Sequence, residues 1–360
     1  MALPAPQSRL LARLKTPGFA GYNLAWSPFY PDRLAVAAAA NYGLVGNGKV
    51  FVVNCRPGAP GSDGAPGMAV ERGFDTQDGL YDVAWSEVHE NQLVTGSGDG
   101  SLKLWDITLA DHPIRMWAEH QREVFSVDWN NLKKEVFASS SWDASVRVWH
   151  PERQQSILNL TAHTACVYGA AWSPHNADLL ASASGDGHLR LFDVRVGDGP
   201  QSPVATVPVG GEVLSLDWNK YRPMTIATGS TDRGVKVWDL RAAASRAAAV
   251  APGPAPARAM MGGECTAVLM GHEYAIRRVA WSPHSASVLA SASYDMSARI
   301  WDADLGAAIN AGPRVGAQNA QRARHDLHTE FVVGLGWSLF NEGVLASCAW
   351  DCETHLWAAG

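Results

Sequence analysis

The stretch "LYDVAWSEVHENQLVTGSGDGSLKLWD", residues 80–106, contains three short segments in which apolar side chains recur at every second position. Alternation with a period of two is typical of β-strands that bury one face. The sequence Gly-Asp-Gly between the second and third segments favours a tight hairpin turn. Trp85 ends the first segment and Trp105 lies in the third. The stretch therefore predicts three short strands joined by turns.

The same arrangement recurs six times along the chain. In each unit Ser or Thr stands ten residues after the first tryptophan, an aspartate fourteen residues after it and a second aromatic residue twenty residues after it. The first tryptophans are Trp85, Trp129, Trp172, Trp218, Trp281 and Trp337. A seventh, less regular unit precedes them and contains "YNLAWSP", "RLAVAAAA" and "KVFVVN". Units of this kind bury their faces by stacking on one another.

The unit endings "SLKLWD", "GVKVWD" and "ARIWD" resemble those of the WD-repeat family. The resemblance implies an all-β fold, with residues 1–360 forming a single seven-bladed WD-repeat β-propeller. The chain reaches only the third strand of the last unit at Trp357, so its blade lacks an outer strand. The segment "LLARLKT", residues 10–16, is predicted to supply that strand and close the ring, because closure removes exposed strand edges.

Three stretches lengthen the distance between neighbouring units and are predicted to be insertions between blades. They are residues 56–73, rich in Gly and Pro, residues 242–263, rich in Ala and Pro, and residues 303–324.

The stretch "NYGLVGNGKVFVV", residues 41–53, has the Gly-x4-Gly-Lys spacing of a phosphate-binding loop, but Val50 replaces the expected Ser or Thr. A phosphate-binding loop opens a helix, whereas the β-branched residues after Lys49 indicate a strand. Asn47-Gly48 is a favourable hairpin turn. We therefore predict a hairpin in the first blade and no bound nucleotide or other cofactor.

Ser, His and Asp recur together in four units, which raises the possibility of a catalytic triad. One active site does not need four equivalent copies, so an enzyme is not predicted. The resemblance implies structural hydrogen-bonded sets instead, which satisfy buried polar groups. The predicted sets contain His120, Ser139, Asp143, Trp149, His163, Ser182, Asp186, His272, Ser291, Asp295, Trp301, His328, Ser347, Asp351 and Trp357. Blade geometry keeps the four histidines apart, so no metal site is predicted.

Two units lack the histidine of the set. Thr76 and Val209 occupy its position in the second and fifth units. These two blades are predicted to be less rigid.

The formal net charge is −6, from 29 Lys and Arg against 35 Asp and Glu. Nucleic-acid-binding proteins usually carry a basic patch, so this charge argues against a nucleic-acid partner. The five cysteines include no Cys-x-x-Cys pair, which favours reduced thiols over a zinc ribbon or a disulfide framework. No apolar run approaches about 18 residues, so no membrane insertion is expected.

In the WD-repeat family two positions of each unit are expected at one face of the ring, four residues before the first tryptophan and directly before the turn aspartate. The candidate contact residues at these positions are Tyr81, Phe125, Trp142, Tyr168, Leu214, Arg277, Tyr294 and Trp350. Their acidic neighbours are Asp78, Asp82, Glu119, Glu123, Glu212, Glu273 and Glu330. Such a face fits an amphipathic helix with a cationic end. The alternative is that some aromatic residues only pack the blades and the acids are solvated surface.

Four stretches resemble, beyond the repeat pattern, the receptors for the type 2 peroxisomal targeting signal. They are "TPGFAGYNLAWSPFYPDRLAVAAAANYGLVGNGKVFV", "GLYDVAWSEVHENQLVTGSGDGSLKLWD", "HQREVFSVDWNNLKKEVFASSSWDASVRVW" and "HTEFVVGLGWSLFNEGVLASCAWDCETHLW". The likeness extends from about Thr16 to Trp357 and includes the irregular first unit.

This resemblance implies a cytoplasmic import receptor that shuttles to the peroxisome. Its ligand is an N-terminal cargo signal, Arg/Lys-Leu-x5-His/Gln-Leu, on proteins such as thiolase-like matrix enzymes. The implied partners are a co-receptor, a form of the type 1 signal receptor, and the peroxisomal docking machinery. Asp78 and Glu123 are the candidate partners of the basic residue, and Phe125, Trp142 and Tyr168 those of the leucines. The alternative function is a WD-repeat scaffold or substrate adaptor in another multiprotein complex.

Overall fold

The computed structural model describes residues 7–44, 46–55, 67–109, 112–195, 202–241, 260–310 and 320–359. These residues form seven antiparallel sheets of four strands each, together with one two-residue strand added to the fourth sheet. Contacts between the inner strands of successive sheets, including those of the first and last blades, close the ring. The predicted seven-bladed β-propeller is confirmed.

The strands follow one another from the inner to the outer edge of each blade. Blade 1 contains β2 Phe19–Trp26, β3 Arg33–Ala40, β4 Gly48–Asn54 and β5 Ala69–Thr76. Blade 2 contains β6 Leu80–Trp85, β7 Gln92–Ser97, β8 Leu102–Asp106 and β9 Arg115–Trp117. Blade 3 contains β10 Val124–Trp129, β11 Phe137–Ser141, β12 Val146–Trp149 and β13 Leu158–Leu160. Blade 4 contains β14 Val167–Trp172, β15 Leu179–Ser184, β16 His188–Asp193 and β17 Ala205–Pro208, with β21 Met260–Met261 parallel to β17.

The remaining blades follow the same order. Blade 5 contains β18 Val213–Trp218, β19 Thr225–Ser230, β20 Gly234–Asp239 and β22 Glu264–Met270. Blade 6 contains β23 Ile276–Trp281, β24 Val288–Ser293, β25 Ala298–Asp302 and β26 Gln321–His325, with helix α1 Ala303–Asn310 between its last two strands. Blade 7 contains β27 Val332–Trp337, β28 Val344–Ala349, β29 Glu353–Ala358 and, as outer strand, β1 Arg9–Lys15. Among the described residues, no helix has the length and apolar character needed to cross a membrane.

The hydrophobic core lies between the blades. The alternating apolar side chains of one sheet meet those of the next, so that Leu102 and Leu104 of blade 2 cluster with Trp129, Phe137 and Trp149 of blade 3. Each such cluster combines residues of neighbouring sheets, because a single blade cannot bury both of its faces. The stability of each blade therefore depends on its neighbours.

The N-terminal strand closes the ring, as predicted. β1 pairs antiparallel with β29, from Arg9 opposite Ala358 to Lys15 opposite Glu353, so it starts one residue earlier than expected. Arg13 and Lys15 each form an ion pair of 3.2 Å with Glu353. The preceding residues reach blade 6, where the backbone N–H of Ser8 donates a hydrogen bond of 2.9 Å to Arg324 O. The segment thus fastens blade 7 and the outer edge of blade 6.

The boundaries of the predicted insertions are wrong at their ends. Residues 69–73 belong to β5, residues 260–261 form β21, and residues 303–310 and 321–324 lie in α1 and β26. The outer strands "AVERGFDT" and "QRARH" lack the alternating apolar pattern that revealed the inner ones. Residues 56–66, 242–259 and 311–319 lie outside the described residues.

The stretch 41–53 lies in an antiparallel hairpin of blade 1, as predicted, and no helix follows Lys49. The predicted position of the turn, Asn47-Gly48, is wrong, because Gly48 already pairs with Ala39 and the two strands are joined by residues 41–47. Residue 48 begins β4, and Lys49 forms an ion pair of 3.1 Å with Asp75 of β5. The connection before β4 is unusual, because Asn41–Gly43 forms a single 3-10 turn with positive φ angles.

Candidate functional site

The two ends of the sheets form two faces of the ring. In blade 3, Val124 pairs with Ser141 at one end and Trp129 pairs with Phe137 at the other. We call the first end the upper face; it carries the turn that begins at Trp142. The other end, which carries the loop 130–136, is the lower face. Since all blades share this register, the predicted contact residues lie at the upper face.

The predicted polar sets form hydrogen-bonded chains inside the blades. His120 Nδ1 donates to Asp143 Oδ2 at 2.8 Å, and its Nε2 lies 2.7 Å from Ser139 Oγ. Trp149 Nε1 donates to the same Ser139 Oγ at 2.8 Å. Equivalent chains start at His272 and His328, and the chain of blade 4 ends at Ser182 because Phe192 replaces the tryptophan.

The imidazole rings of these hydrogen-bonded sets are buried, which fits a role in stabilising the blades. Burial favours the neutral carboxyl of Asp143, but the hydrogen bonds from His120 and Ser145 outweigh it and hold the pKa of Asp143 below its usual value. Burial lowers the pKa of His163 and of His272 against the opposing effect of their aspartate partners. With no side-chain surface open to solvent, the histidines hold the loops in place and do not face a substrate.

A continuous band of aromatic rings crosses the upper face from blade 6 through blades 7, 1, 2 and 3 to blade 4. We call it the aromatic arc; its members are Tyr294, Phe331, Trp350, Tyr22, Tyr81, Phe125, Trp142 and Tyr168. Successive ring centroids from Tyr294 to Trp142 lie 4.9 to 5.7 Å apart, and the ring of Tyr168 lies 5.6 Å from Phe125 and 6.1 Å from Trp142. The structure therefore brings together the predicted aromatic residues. Sequence reasoning missed Phe331, which lies outside the two repeat positions used.

Phe125 is the hub of the arc and not an exposed contact. It stacks on Trp142 with an interplanar angle of 16° and meets Tyr81 and Tyr168 at 5.0 and 5.6 Å. The guanidinium of Arg277 reaches across from blade 6 and lies 4.7 Å from its ring centroid. Phe125 is only 8% exposed and Arg277 only 4%.

Arg277 and Leu214 also form the floor of the face. Nη1 of Arg277 donates a hydrogen bond of 3.1 Å to the carbonyl of Leu214, whose side chain is buried. Burial lowers the pKa of Arg277. The expectation that Phe125, Leu214 and Arg277 offer open surface is therefore corrected, since they support Tyr81, Trp142 and Tyr168 from below.

Two predicted acids lie beside neighbouring members of the arc. Burial, then Asp78, then Glu123 raise the pKa of Tyr81 to about 12. Asp78 lies beside the ring of Tyr81, since a Cβ atom added to Gly98 would lie 3.0 Å from Asp78 Oδ1 and 3.4 Å from Tyr81 Cε2.

Glu123 lies beside Trp142, whose N–H donates a hydrogen bond of 3.0 Å to the carbonyl of Glu123. Asp78 Oδ1 accepts a hydrogen bond of 2.7 Å from the N–H of Gly79, and Glu123 lies 3.5 Å from Arg122 Nε. The boundary of blades 2 and 3 thus combines an apolar surface with two partly exposed carboxylates.

The other acids are distributed differently. Glu212 is exposed and, after burial and Cys166, raises the pKa of Tyr168; Glu330 is exposed in the loop before β27. Asp82 is buried and accepts hydrogen bonds from the N–H groups of Val83 and Val127. Glu119 is bound by Arg147 and Ser156. Asp82 and Glu119 were expected to flank the contact surface, but the carboxylates of both accept hydrogen bonds from other residues of the blades.

Two histidines that the repeat spacing does not mark, His325 and His355, lie next to the predicted His328. Within the described ranges, His325, His328 and His355 have potential ligand atoms within 4.8 Å of one another. The rings of His328 and His355 stack at 3.8 Å with an interplanar angle of 9°. Stacked rings cannot aim in-plane lone pairs at one ion, so the arrangement does not fit a metal site.

His325 and His355 form a hydrogen-bonded chain at the closure of the ring. His325 Nδ1 lies 2.7 Å from Ser8 Oγ, and its Nε2 lies 3.0 Å from His355 Nδ1. His355 Nε2 lies 2.9 Å from Glu353 Oε2. One neutral tautomer of each ring satisfies every contact, with protons donated from Ser8 towards Glu353.

Comparison with known proteins agrees with the repeat pattern. Residues 71–106, 111–150, 154–193, 201–239 and 263–302 match the family model "WD domain, G-beta repeat". A protein of Saccharomyces cerevisiae named "Peroxisomal targeting signal 2 receptor" is 37% identical over 96% of this chain and 99% of its own length. The mouse protein of the same name is 38% identical over 94% of this chain and 93% of its own length.

A plant relative extends the comparison. The protein of Arabidopsis thaliana named "Peroxisome biogenesis protein 7" is 41% identical over 95% of this chain and 96% of its own length. Identity at this level extends over nearly the full length of both chains. The chain therefore belongs to the family of WD-repeat proteins called peroxisomal targeting signal 2 receptors.

Proposed function

We propose that this protein is a cytoplasmic import receptor that binds the type 2 peroxisomal targeting signal of cargo proteins and delivers them, with a co-receptor, to the peroxisomal matrix. The observation that carries the proposal is the position of two acids against the aromatic arc, Asp78 beside Tyr81 and Glu123 beside Trp142. The relatives' names support the same activity. The protein acts by binding and shuttling and catalyses no reaction.

The signal Arg/Lys-Leu-x5-His/Gln-Leu has the chemistry that this surface complements. In a helix its first, second, eighth and ninth residues fall on adjacent faces, because seven residues span nearly two turns. Asp78 and Glu123 bind the basic residue. The leucines lie against the half-buried rings of Tyr81, Trp142 and Tyr168, which contact Phe125.

Other acids of the upper face contribute at longer range. Glu212 and Glu330 are exposed near the two ends of the aromatic arc and attract the cationic signal during encounter. The co-receptor, a form of the type 1 signal receptor, covers the side of the helix that faces away from the propeller. Docking at the peroxisome then involves the complex and not the receptor alone.

The proposal is tested by fluorescence anisotropy of a labelled peptide that carries Arg-Leu-x5-His-Leu, with and without the candidate co-receptor. The control peptide has both leucines replaced by arginine. We expect selective binding that weakens as the salt concentration rises, because part of the contact is electrostatic. Absence of selective binding to folded protein in both conditions would favour the scaffold or adaptor function instead.

A receptor variant separates the acids from the rest of the surface. Glu123→Lys is expected to weaken peptide binding by about 2 kcal/mol, since it places a cation beside the basic residue of the signal. Glu330→Lys, on the far side of the face, is the matched control and should change affinity by much less. Equal affinities of wild type and Glu123→Lys would remove Glu123 from the site.

A further inference from the structure

The turn between β3 and β4 adopts backbone φ angles that residues other than glycine rarely adopt. Asn41, Tyr42 and Gly43 adopt φ angles of 49°, 57° and 69° in succession, and only one of them is glycine. A bulky side chain rarely occupies this left-handed region. Such conformations persist where surrounding structure enforces them, and they are concentrated at functional sites.

Two tyrosines of the aromatic arc enforce the conformation of this turn. The hydroxyl of Tyr22 donates a hydrogen bond of 2.6 Å to the carbonyl of Tyr42, and that of Tyr81 donates one of 3.2 Å to the carbonyl of Gly43. The fit is close, because a Cβ atom added to Gly43 would lie 2.7 Å from the Tyr22 hydroxyl oxygen. The turn is therefore a fixed part of the upper face.

The turn presents apolar side chains to solvent beside the arc. Leu44 is 83% exposed, and Tyr42 is 51% exposed with its ring centroid 5.8 Å from that of Trp350. A rigid turn that holds a leucine in water forgoes the stabilisation that burial of this side chain would provide. An apolar partner that covers Leu44 recovers that stabilisation upon binding.

We propose that residues 42–44 form one edge of the cargo surface and that Leu44 contacts the first leucine of the signal, the one beside its basic residue. This inference rests on the proposed function and assigns the two leucines to different places. Tyr81 connects the two parts of the surface, because its hydroxyl bonds the turn and its ring lies beside Asp78.

The helical geometry of the signal agrees with this division. Asp78 lies next to the turn of blade 1, since a Cβ atom added to its neighbour Gly79 would lie 3.8 Å from Gly43 Cα. A basic residue bound at Asp78 therefore places the adjacent leucine beside this turn. The second leucine lies seven residues further along, about 10 Å along the helix axis, and rests on Trp142 and Tyr168 of blades 3 and 4. The occupant is thus an amphipathic helix whose cation and first apolar residue are neighbours.

The experiment is a double-mutant cycle between receptor and peptide, measured by anisotropy under the condition in which wild-type receptor binds. The receptor variant is Leu44→Ser, and Leu132→Ser in the lower-face loop is the control, since Leu132 is also an exposed leucine. Two peptides each have one leucine of the signal replaced by alanine. Thermal unfolding verifies that both receptor variants are folded.

We expect Leu44→Ser to weaken binding of the complete signal about tenfold and Leu132→Ser to leave it unchanged. With the first leucine already replaced, Leu44→Ser should cause almost no further loss. With the second leucine replaced, the two losses should combine to within about twofold, as independent contacts do.

The possible failures are distinguishable. If wild-type receptor shows no selective binding, the proposed function and this inference both fail. If wild type binds and Leu44→Ser binds equally well, only the inference fails. Coupling of Leu44 to the second leucine would overturn the assignment of the leucines. A change of molecular mass in light scattering without a change of affinity would place Leu44 in a contact between two copies of this chain.

Discussion

Blades 3 and 2 anchor the same turn in different ways. In blade 3, Asp143 accepts hydrogen bonds from His120 and from the N–H of Gln121, and its side chain is 10% exposed. In blade 2, Thr76 replaces the histidine, and Asp99 is paired with Lys103 at 3.3 Å with its side chain 40% exposed. Blades 4, 6 and 7 resemble blade 3, whereas blade 5 resembles blade 2 through Asp232 and Lys236.

The comparison indicates that the same position of the repeat contributes different amounts to the free energy of unfolding in different blades. A histidine connects the loop entering the blade, the turn and the second strand in one buried network. A lysine comes from the third strand of the same hairpin and compensates the charge of the aspartate, but it leaves the turn hydrated. Substitutions of the turn aspartate should therefore lower stability more in the blades with a histidine than in the blades with a lysine.

The largest effect is expected in blade 7, where a histidine network meets the closure of the ring. Deletion of residues 1–16 should lower the free energy of unfolding by about 5 kcal/mol or more, because it removes β1 and exposes the edge of β29. Thermal unfolding followed by circular dichroism measures the change. An unchanged melting temperature would contradict the role of β1 in closure.

Acidification should act at the junction of blades 6 and 7, where His325 and His355 meet. Burial and the neighbouring imidazoles lower the pKa of His325 to about 3, and burial and His328 lower that of His355 to about 4. An unfolded histidine titrates near 6.5, so the unfolded chain binds more protons than the folded chain between pH 6.5 and pH 4. The free energy of unfolding therefore falls as the pH is lowered, by about 2 kcal/mol for each histidine between pH 7 and pH 5.

Urea unfolding from pH 7 to pH 5 measures this dependence, and a variant identifies its source. His325→Phe keeps a ring to stack on Trp357, where the centroids are 4.7 Å apart, but cannot take up a proton. Its stability should depend less steeply on pH than that of wild type. An identical slope would mean that other groups cause the dependence.

A matched pair of aspartate variants compares the two kinds of blade directly. Asp143→Ala should lower stability by about 3 kcal/mol, because it leaves the buried His120 without its acceptor. Asp99→Ala should cost about 1 kcal/mol or less, since its turn is hydrated and its ion pair is screened by solvent. The denaturant midpoints of the two variants measure these losses of stability. Equal losses would show that the networks of blades 3 and 2 contribute equally to the free energy of unfolding.

The smallest effect is expected for the lysines. Lys103→Met and Lys236→Met should each change stability by at most about 1 kcal/mol, because their partners Asp99 and Asp232 are partly exposed. Chemical unfolding at low and high salt gives the measurement. A loss as large as that of Asp143→Ala would show that lysine fully replaces the histidine network.

Much of the fold could be predicted from the sequence because its repeat spacing is regular. The spacing identified the inner three strands of each blade and, with the family resemblance, the aromatic residues of the upper face. The outer strands have no such pattern, so the starts of β5 and β26 were placed in insertions.

The details of the site depend on contacts across the ring. The burial of Phe125 results from Arg277, which reaches it from blade 6, three blades further along the chain. The exposure of Leu44 depends on a left-handed turn that two distant tyrosines hold. His325 and His355 lie on outer and third strands, at positions that no repeat spacing marks. None of these contacts can be inferred from the spacing of the residues in the sequence.

The pairing of β1 with β29 also determines when the molecule can be completed during its synthesis. Residues 9–15 leave the ribosome long before their partners, residues 353–358. At 5–20 residues per second the ribosome needs tens of seconds to supply those partners. Until then the first strand has an unpaired edge, which is prone to non-native pairing. Closure of the ring by β1 therefore has to wait until β29, near the end of the printed sequence, has been synthesised.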